Sequence, residues 1–222
     1  MCQPSGVNLY VYIVVFCLRQ SRLEVMLASG ENPAQDKQWI LPARIFDPAY
    51  SLEHLAQQEM QHCAGIQQAY LEQLYTYSDL EHNSQPRNIS VVYFALVPAD
   101  HDPTTAPHPA NRGWFPVDRR PIMAEDYETI LAYALRRLRY KLEYTAVGFE
   151  LLPDAFTLSE LQHTYEIVLG EKLDKRNFRR RILSASIIEP TAGQRSGEGR
   201  PARLYRYRPD AVAEVKTRRL FP

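Results

Sequence analysis

Two constellations in this chain carry residue types that do chemistry. The first lies in the stretch Leu52 to Cys63, where Glu59, His62 and Cys63 stand at i, i+3 and i+4, the spacing that puts three side chains on one helix face. A carboxylate, an imidazole and a thiol so placed could hold a transition metal such as zinc, which accepts oxygen, nitrogen and sulfur ligands. A structural zinc takes four ligands, and no second cluster in the sequence supplies the rest, so no metal and no cofactor is expected. The three cysteines, Cys2, Cys17 and Cys63, are odd in number and lack CxxC spacing, which fits thiols kept reduced in a cytoplasm.

The second constellation is basic. From Lys172 to Arg208 there are 11 Lys and Arg residues against Asp174, Glu189 and Glu198, a local excess of +8. Such an excess is a footprint for a polyanion, with a merely solvated face as the plainer alternative. Lys175, Arg176, Asn177, Arg179 and Arg180 crowd one short segment, and Arg195, Arg200 and Arg203 follow it. Arg and Lys reach phosphates, while Arg and Asn read guanine and adenine edges in the major groove. The 222-residue chain as a whole has a formal net charge of zero, which on its face argues against nucleic acid. The zero is a cancellation: residues 1–145 hold 12 Lys/Arg against 16 Asp/Glu, and residues 146–222 hold 14 against 10.

The elements that must position these residues are readable from periodicity. Leu9–Cys17 and Leu23–Leu27 are rich in β-branched and apolar residues and predict paired strands, and Trp39–Pro42 returns to apolar character after a polar loop. Leu52 to Cys63 has helical spacing with Gly65 as a stop, Tyr70–Tyr77 and Ile89–Val97 read as strands, and a proline-rich loop follows to Pro109. A helix over Ala124–Tyr144 carries one apolar stripe and links two domains. Thr157 and Glu160 form a capping box for a helix that ends at Gly170, and Asp174 caps the next, with Phe178, Ile182 and Leu183 as its buried edge. Ile187–Pro190, a Gly-rich tip from Gly193 to Gly199 and Arg200–Arg208 predict a hairpin. Helix, turn, basic helix, hairpin is the order of a winged helix-turn-helix, a DNA reader or a protein-binding module.

Other classes are closed. The run Val7 to Leu18 is short of the roughly 20 residues that a bilayer helix needs, and it lacks the basic lead of a secretory signal. No membrane partner is expected. Ser5, Ser90, His101 and His108 show no triad or nucleophile elbow.

The segments Leu138–Tyr144, Phe149–Pro153, Phe156–Gln162, Tyr165-Glu166, Leu173–Arg180 and Gly199–Ala202 resemble the Nudix-related transcriptional regulators, the NrtR family. Trp39–Pro42, Leu71–Leu74 and Val91–Leu96 extend the resemblance over nearly the whole chain. It implies an α+β protein, with a Nudix-like α/β/α sandwich built on a mixed sheet over residues 1–145, linker helix included, and a winged helix over 146–222. It further implies a dimeric, DNA-binding repressor of nicotinamide cofactor synthesis that responds to ADP-ribose or a related nucleotide.

Against that family's catalytic box, anchored on Glu59 and Gly65, the positions here are Arg44, Tyr50, Gln58, Glu59, Met60, His62, Cys63, Gly65 and Ile66. Pyrophosphate hydrolysis in the fold relies on carboxylates at i, i+3 and i+4 that hold hard divalent cations, and only Glu59 survives. No hydrolase activity is therefore expected. A degenerate pocket can still bind a ligand, with Arg44, Tyr50, Arg87, Tyr93 and Trp114 as effector-binding candidates. Arg44 would either meet a phosphate or fill the pocket. The alternatives are a sugar-responsive regulator of the same architecture, a pyrophosphatase with metal ligands relocated to Glu72 or Glu81, and a protein-binding adaptor.

Overall fold

The computed structural model describes residues 6–30, 38–78, 87–98, 111–196, 201–208 and 210–211. Cys2, Ser5, Glu81, His101, His108, Arg200 and the 197–199 part of the Gly-rich tip lie outside them. The elements in chain order are β1 (Val7–Arg19), β2 (Arg22–Ser29), β3 (Trp39–Ile40), β4 (Ala43–Ile45), α1 (Leu52–Ala64), β5 (Tyr70–Ser78), β6 (Arg87–Val97), β7 (Arg112–Pro116), α2 (Glu125–Tyr144), a 3-10 turn (Val147–Leu151), α3 (Leu158–Leu169), α4 (Lys175–Ser184), β8 (Ile188–Arg195) and β9 (Ala202–Tyr207). Two compact units divide within α2, between Ala134 and Leu135, with Leu18–Leu23 and Pro98 grouped in the second.

The front unit is a mixed sheet in the order β3-β2-β1-β6-β5, with β4 added to β1 and β7 to β2. β1 and β6 run parallel, from Val7 opposite Arg87 to Cys17 opposite Val97. Both strands are buried on both faces, which is why they read as continuous apolar runs rather than as alternation. Val11, Ile13, Val15, Met26, Val91, Tyr93, Ala95 and Val97 pack with Leu55, Ala56, Met60 and Cys63 of α1. The other face meets α2, where the Tyr12 and Tyr127 rings pack at a tilt of 51° with centroids 5.8 Å apart. Ser51 caps α1 by accepting from the His54 amide at 3.1 Å, and Gly65 ends it at φ 71°, a left-handed conformation that glycine adopts without steric cost.

The back unit follows the expected order. Thr157 and Glu160 make the reciprocal capping box, and Gly170 ends α3 at φ 78°. Asp174 caps α4 through the Asn177 amide at 2.7 Å. Tyr165 and Phe178, both buried, join the two helices edge to face at 5.6 Å. Two expectations need correction. Leu183 is 48% exposed, because Phe178 and Ile182 at i and i+4 define the buried stripe and Leu183 lies about 100° farther round the helix. Gly193 and Gln194 are not part of a loose tip but belong to β8, where a register irregularity between Pro190 and Gln194 absorbs the residue that cannot donate to the ladder.

Candidate nucleic-acid interface and effector site

Glu59 is the centre of the front site. It is 2% exposed, and each of its oxygens is taken: Arg44 Nε donates to Oε2 at 3.0 Å and Arg112 Nη1 donates to Oε1 at 2.6 Å. Sheet register explains the convergence. Arg44 pairs with Val11 and Trp114 pairs with Met26, both on the α1 side, so Arg44, Trp114 and, two residues back, Arg112 project towards α1. The Arg44 side chain is 37% exposed and that of Arg112 only 10%. Two guanidinium groups and one carboxylate leave the cluster one positive charge in excess. The indole Nε1 of Trp114 and the Nε of Arg112 are buried without a hydrogen-bond partner, two donors still lacking an acceptor.

Arg112 was not singled out from sequence. It lies far from the box residues, directly after the proline-rich loop, and only the β2–β7 pairing brings it to Glu59. The other candidates are dispersed. Tyr50 is 44% exposed and stacks on His54 with centroids 5.0 Å apart. Tyr93 is buried in the apolar cluster, and its hydroxyl is pushed up by burial first and by the charge of Glu53 second. Arg87 is exposed at the start of β6, four residues before Val91, or about 13 Å along the strand. His62 is exposed whereas Glu59 and Cys63 are buried, so the helix face does not gather the three. Among the described residues no group of three or more His, Cys, Asp and Glu could hold a metal ion. The Cys63 thiol is raised to about 12 by burial and by Glu59, with Arg112 opposing, and stays protonated. Glu72 is opposite Phe94, which faces away from the α1 side, so it cannot join Glu59.

In the back unit the turn before α4 is held by Glu166. Its Oε1 accepts from the Leu173 amide at 3.0 Å and from Gln162 Nε2 at 3.1 Å, and Lys172 Nζ donates to Oε2 at 3.1 Å. The Leu173 amide is the main reason that the Glu166 carboxyl is held below the ordinary carboxylate range. Lys175, Arg176 and Arg180 on α4, and Arg203 on β9, are exposed. Arg180 Nη2 donates to Asn177 Oδ1 at 2.7 Å. Arg179 is half-buried and donates to Ser159 Oγ at 3.1 Å. A cavity of about 750 Å³ lies along the wing, lined by Thr191, Gly193, Gln194, Pro201 and Arg203 among others.

Residues 148–207 match the model of the NrtR DNA-binding winged helix domain. A relative from Acinetobacter baylyi, named an ADPR responsive transcriptional repressor, is 31% identical over 201 residues, covering 89% of this chain and 80% of the relative. The chain belongs to the NrtR family. A crystal structure of Shewanella oneidensis NrtR complexed with a 27mer DNA superimposes with a TM-score of 0.83 at 28% identity, over 95% of this chain and 98% of that one. A MutT/nudix family protein from Enterococcus faecalis, 19% identical with a TM-score of 0.73 over 93% of this chain and 90% of that one, shares the fold. This NrtR-family chain is thus α+β, a Nudix-like mixed sheet with helices in the N-terminal part and a winged helix in the C-terminal part. No helix among the described residues is long and apolar enough to cross a membrane.

Proposed function

We infer that this chain is a transcriptional repressor that binds double-stranded operator DNA through its winged helix and responds to ADP-ribose or a closely related nucleotide. The observation that carries the reading is α4. A helix with Lys175, Arg176 and Arg180 exposed is presented by a capped helix-turn-helix in a chain whose relative bears the name of an ADP-ribose-responsive repressor. Arg176 and Asn177 are assigned to base edges, and Lys175, Arg179, Arg180, Arg200 and Arg203 to phosphates. A dimer would present two such helices to a pseudo-palindromic operator, and genes of nicotinamide cofactor synthesis are the targets implied by the family.

The Nudix-like domain binds its effector without hydrolysing it. Both oxygens of Glu59 are held by guanidinium groups, which occupy the acceptor sites a divalent cation would need. The excess positive charge, with the unpartnered Trp114 and Arg112 donors, suits an anionic diphosphate. Titration of the chain's own upstream DNA in a mobility-shift assay, with and without ADP-ribose, tests the reading. A sequence-specific shift that ADP-ribose modulates is expected; no specific shift on any candidate operator at physiological salt would overturn it. Phosphate release from ADP-ribose with magnesium and a coupled phosphatase should stay at background, and turnover lost in Glu59→Gln would overturn the non-catalytic part.

A further inference from the structure

Arg195 ends β8, yet its guanidinium reaches back to the start of α3. Nη1 donates to Glu160 Oε1 at 2.7 Å, and Nη2 donates to the Ala155 carbonyl oxygen at 3.1 Å. The other oxygen of Glu160 accepts from the Thr157 amide at 2.7 Å, completing the capping box. Between these anchor points the backbone of Phe156 pairs with Tyr205 of β9 in both directions, at 2.9 and 2.7 Å. The same first turn of α3 supplies Ser159, which holds Arg179 of α4. The segment Ala155–Glu160 therefore touches both the basic helix and both strands of the wing.

We propose that Arg195 is a positioning residue that, with Glu160, clasps the wing to the first turn of α3 and sets the angle at which the wing's other cations meet DNA. Arg195 does not itself contact phosphate, since that contact would require it to leave both acceptors. Its planar fork fills two acceptors together, which the single ammonium of lysine does not reproduce. The proposal rests on the DNA-binding reading above and replaces the phosphate role expected of Arg195 from sequence.

Three variants of the full chain separate the clasp from a phosphate contact: Arg195→Ala, Arg195→Lys and Glu160→Gln. Glutamine at 160 can keep the capping box but offers no charge to Arg195. The clasp predicts that all three weaken operator binding, by about two- to fivefold, the scale of an exposed ion pair, with an unchanged salt slope. A phosphate contact predicts the opposite pattern. Arg195→Lys would bind like wild type, Arg195→Ala would lower the slope by about 0.9, and Glu160→Gln would bind more tightly because Arg195 is released. Any of those three results overturns the proposal.

Amide exchange of the DNA-free protein provides a second readout. The Phe156 and Tyr205 amides should exchange faster in Arg195→Ala and Glu160→Gln than in wild type, and unchanged exchange overturns the clasp. If wild type shows no specific operator shift, the DNA reading fails while the exchange result still decides the clasp.

Discussion

Glu59 shows how a single carboxylate changes its role when its neighbours change. Buried and held by Arg44 and Arg112, it is the centre of an ion-pair cluster. Breaking a buried pair from one side strands a charge, at a cost of roughly 3–5 kcal/mol, whereas a solvent-exposed pair contributes about 0–1 kcal/mol. Arg112→Met leaves Glu59 paired with Arg44 but one buried oxygen without its donor, so it should destabilise the chain by about 1–3 kcal/mol, and Arg44→Met, at the more exposed partner, by less. Urea denaturation that ranks the two in the reverse order would refute this assignment. Cys63 offers a second check. With its thiol raised to about 12, it should resist iodoacetamide at pH 8 until the protein unfolds, as followed by peptide mapping.

At the scale of elements, hydrogen bonds close the joints of the winged helix. Glu166 closes the turn between α3 and α4, and its depressed carboxyl makes a pH prediction. A group whose folded-state value is lowered stabilises the fold fully above its unfolded value. That contribution is lost as pH falls below about 4.3 towards the lower folded-state value. Glu166→Gln should be less stable than wild type at pH 7, with a gap that narrows steadily from pH 5 to pH 3 in denaturant titrations. A constant gap would show that the carboxylate charge is not what holds the turn. Gly148 marks another joint, where an added Cβ would lie 2.6 Å from Leu142 Cδ2 and 2.7 Å from Tyr165 Cε2. Both neighbours are fully buried, so Gly148→Ala should cost about 1–3 kcal/mol by overpacking, read as a fall in melting temperature.

For the whole molecule, the proposed function requires that one ligand's occupancy alter affinity for the other, and linkage makes this coupling reciprocal. If ADP-ribose changes operator affinity by some factor, operator DNA must change ADP-ribose affinity by the same factor, and calorimetry with and without DNA measures it. Because guanidinium groups hold both oxygens of Glu59, the proposed function predicts that ADP-ribose affinity is unchanged by EDTA. A requirement for magnesium would contradict the role given to Arg44 and Arg112. The zero net charge describes neither half of the chain. The acidic front and basic back imply steep salt dependence for DNA binding despite a neutral total.

Local signals were legible in the sequence because they act over a few residues. Ser, Thr or Asp caps, left-handed glycine stops, apolar stripes and the run of cations in α4 depend on spacing within one or two turns. They were enough to place α1 to α4 and the wing. Residues brought together by pairing between distant strands were not legible. Arg112 reaches Glu59, 53 residues away in sequence, only through the register of β7 on β2. Arg195 reads as one more cation until the hairpin folds back and delivers it to Glu160, 35 residues earlier. The sequence by itself determined the four helices, the longer strands and the wing, since propensity and composition are local, but not the short strands β4 and β7. Only the tertiary structure decided which charges neutralise one another, because a side chain's partner is set by strand register and packing across the fold.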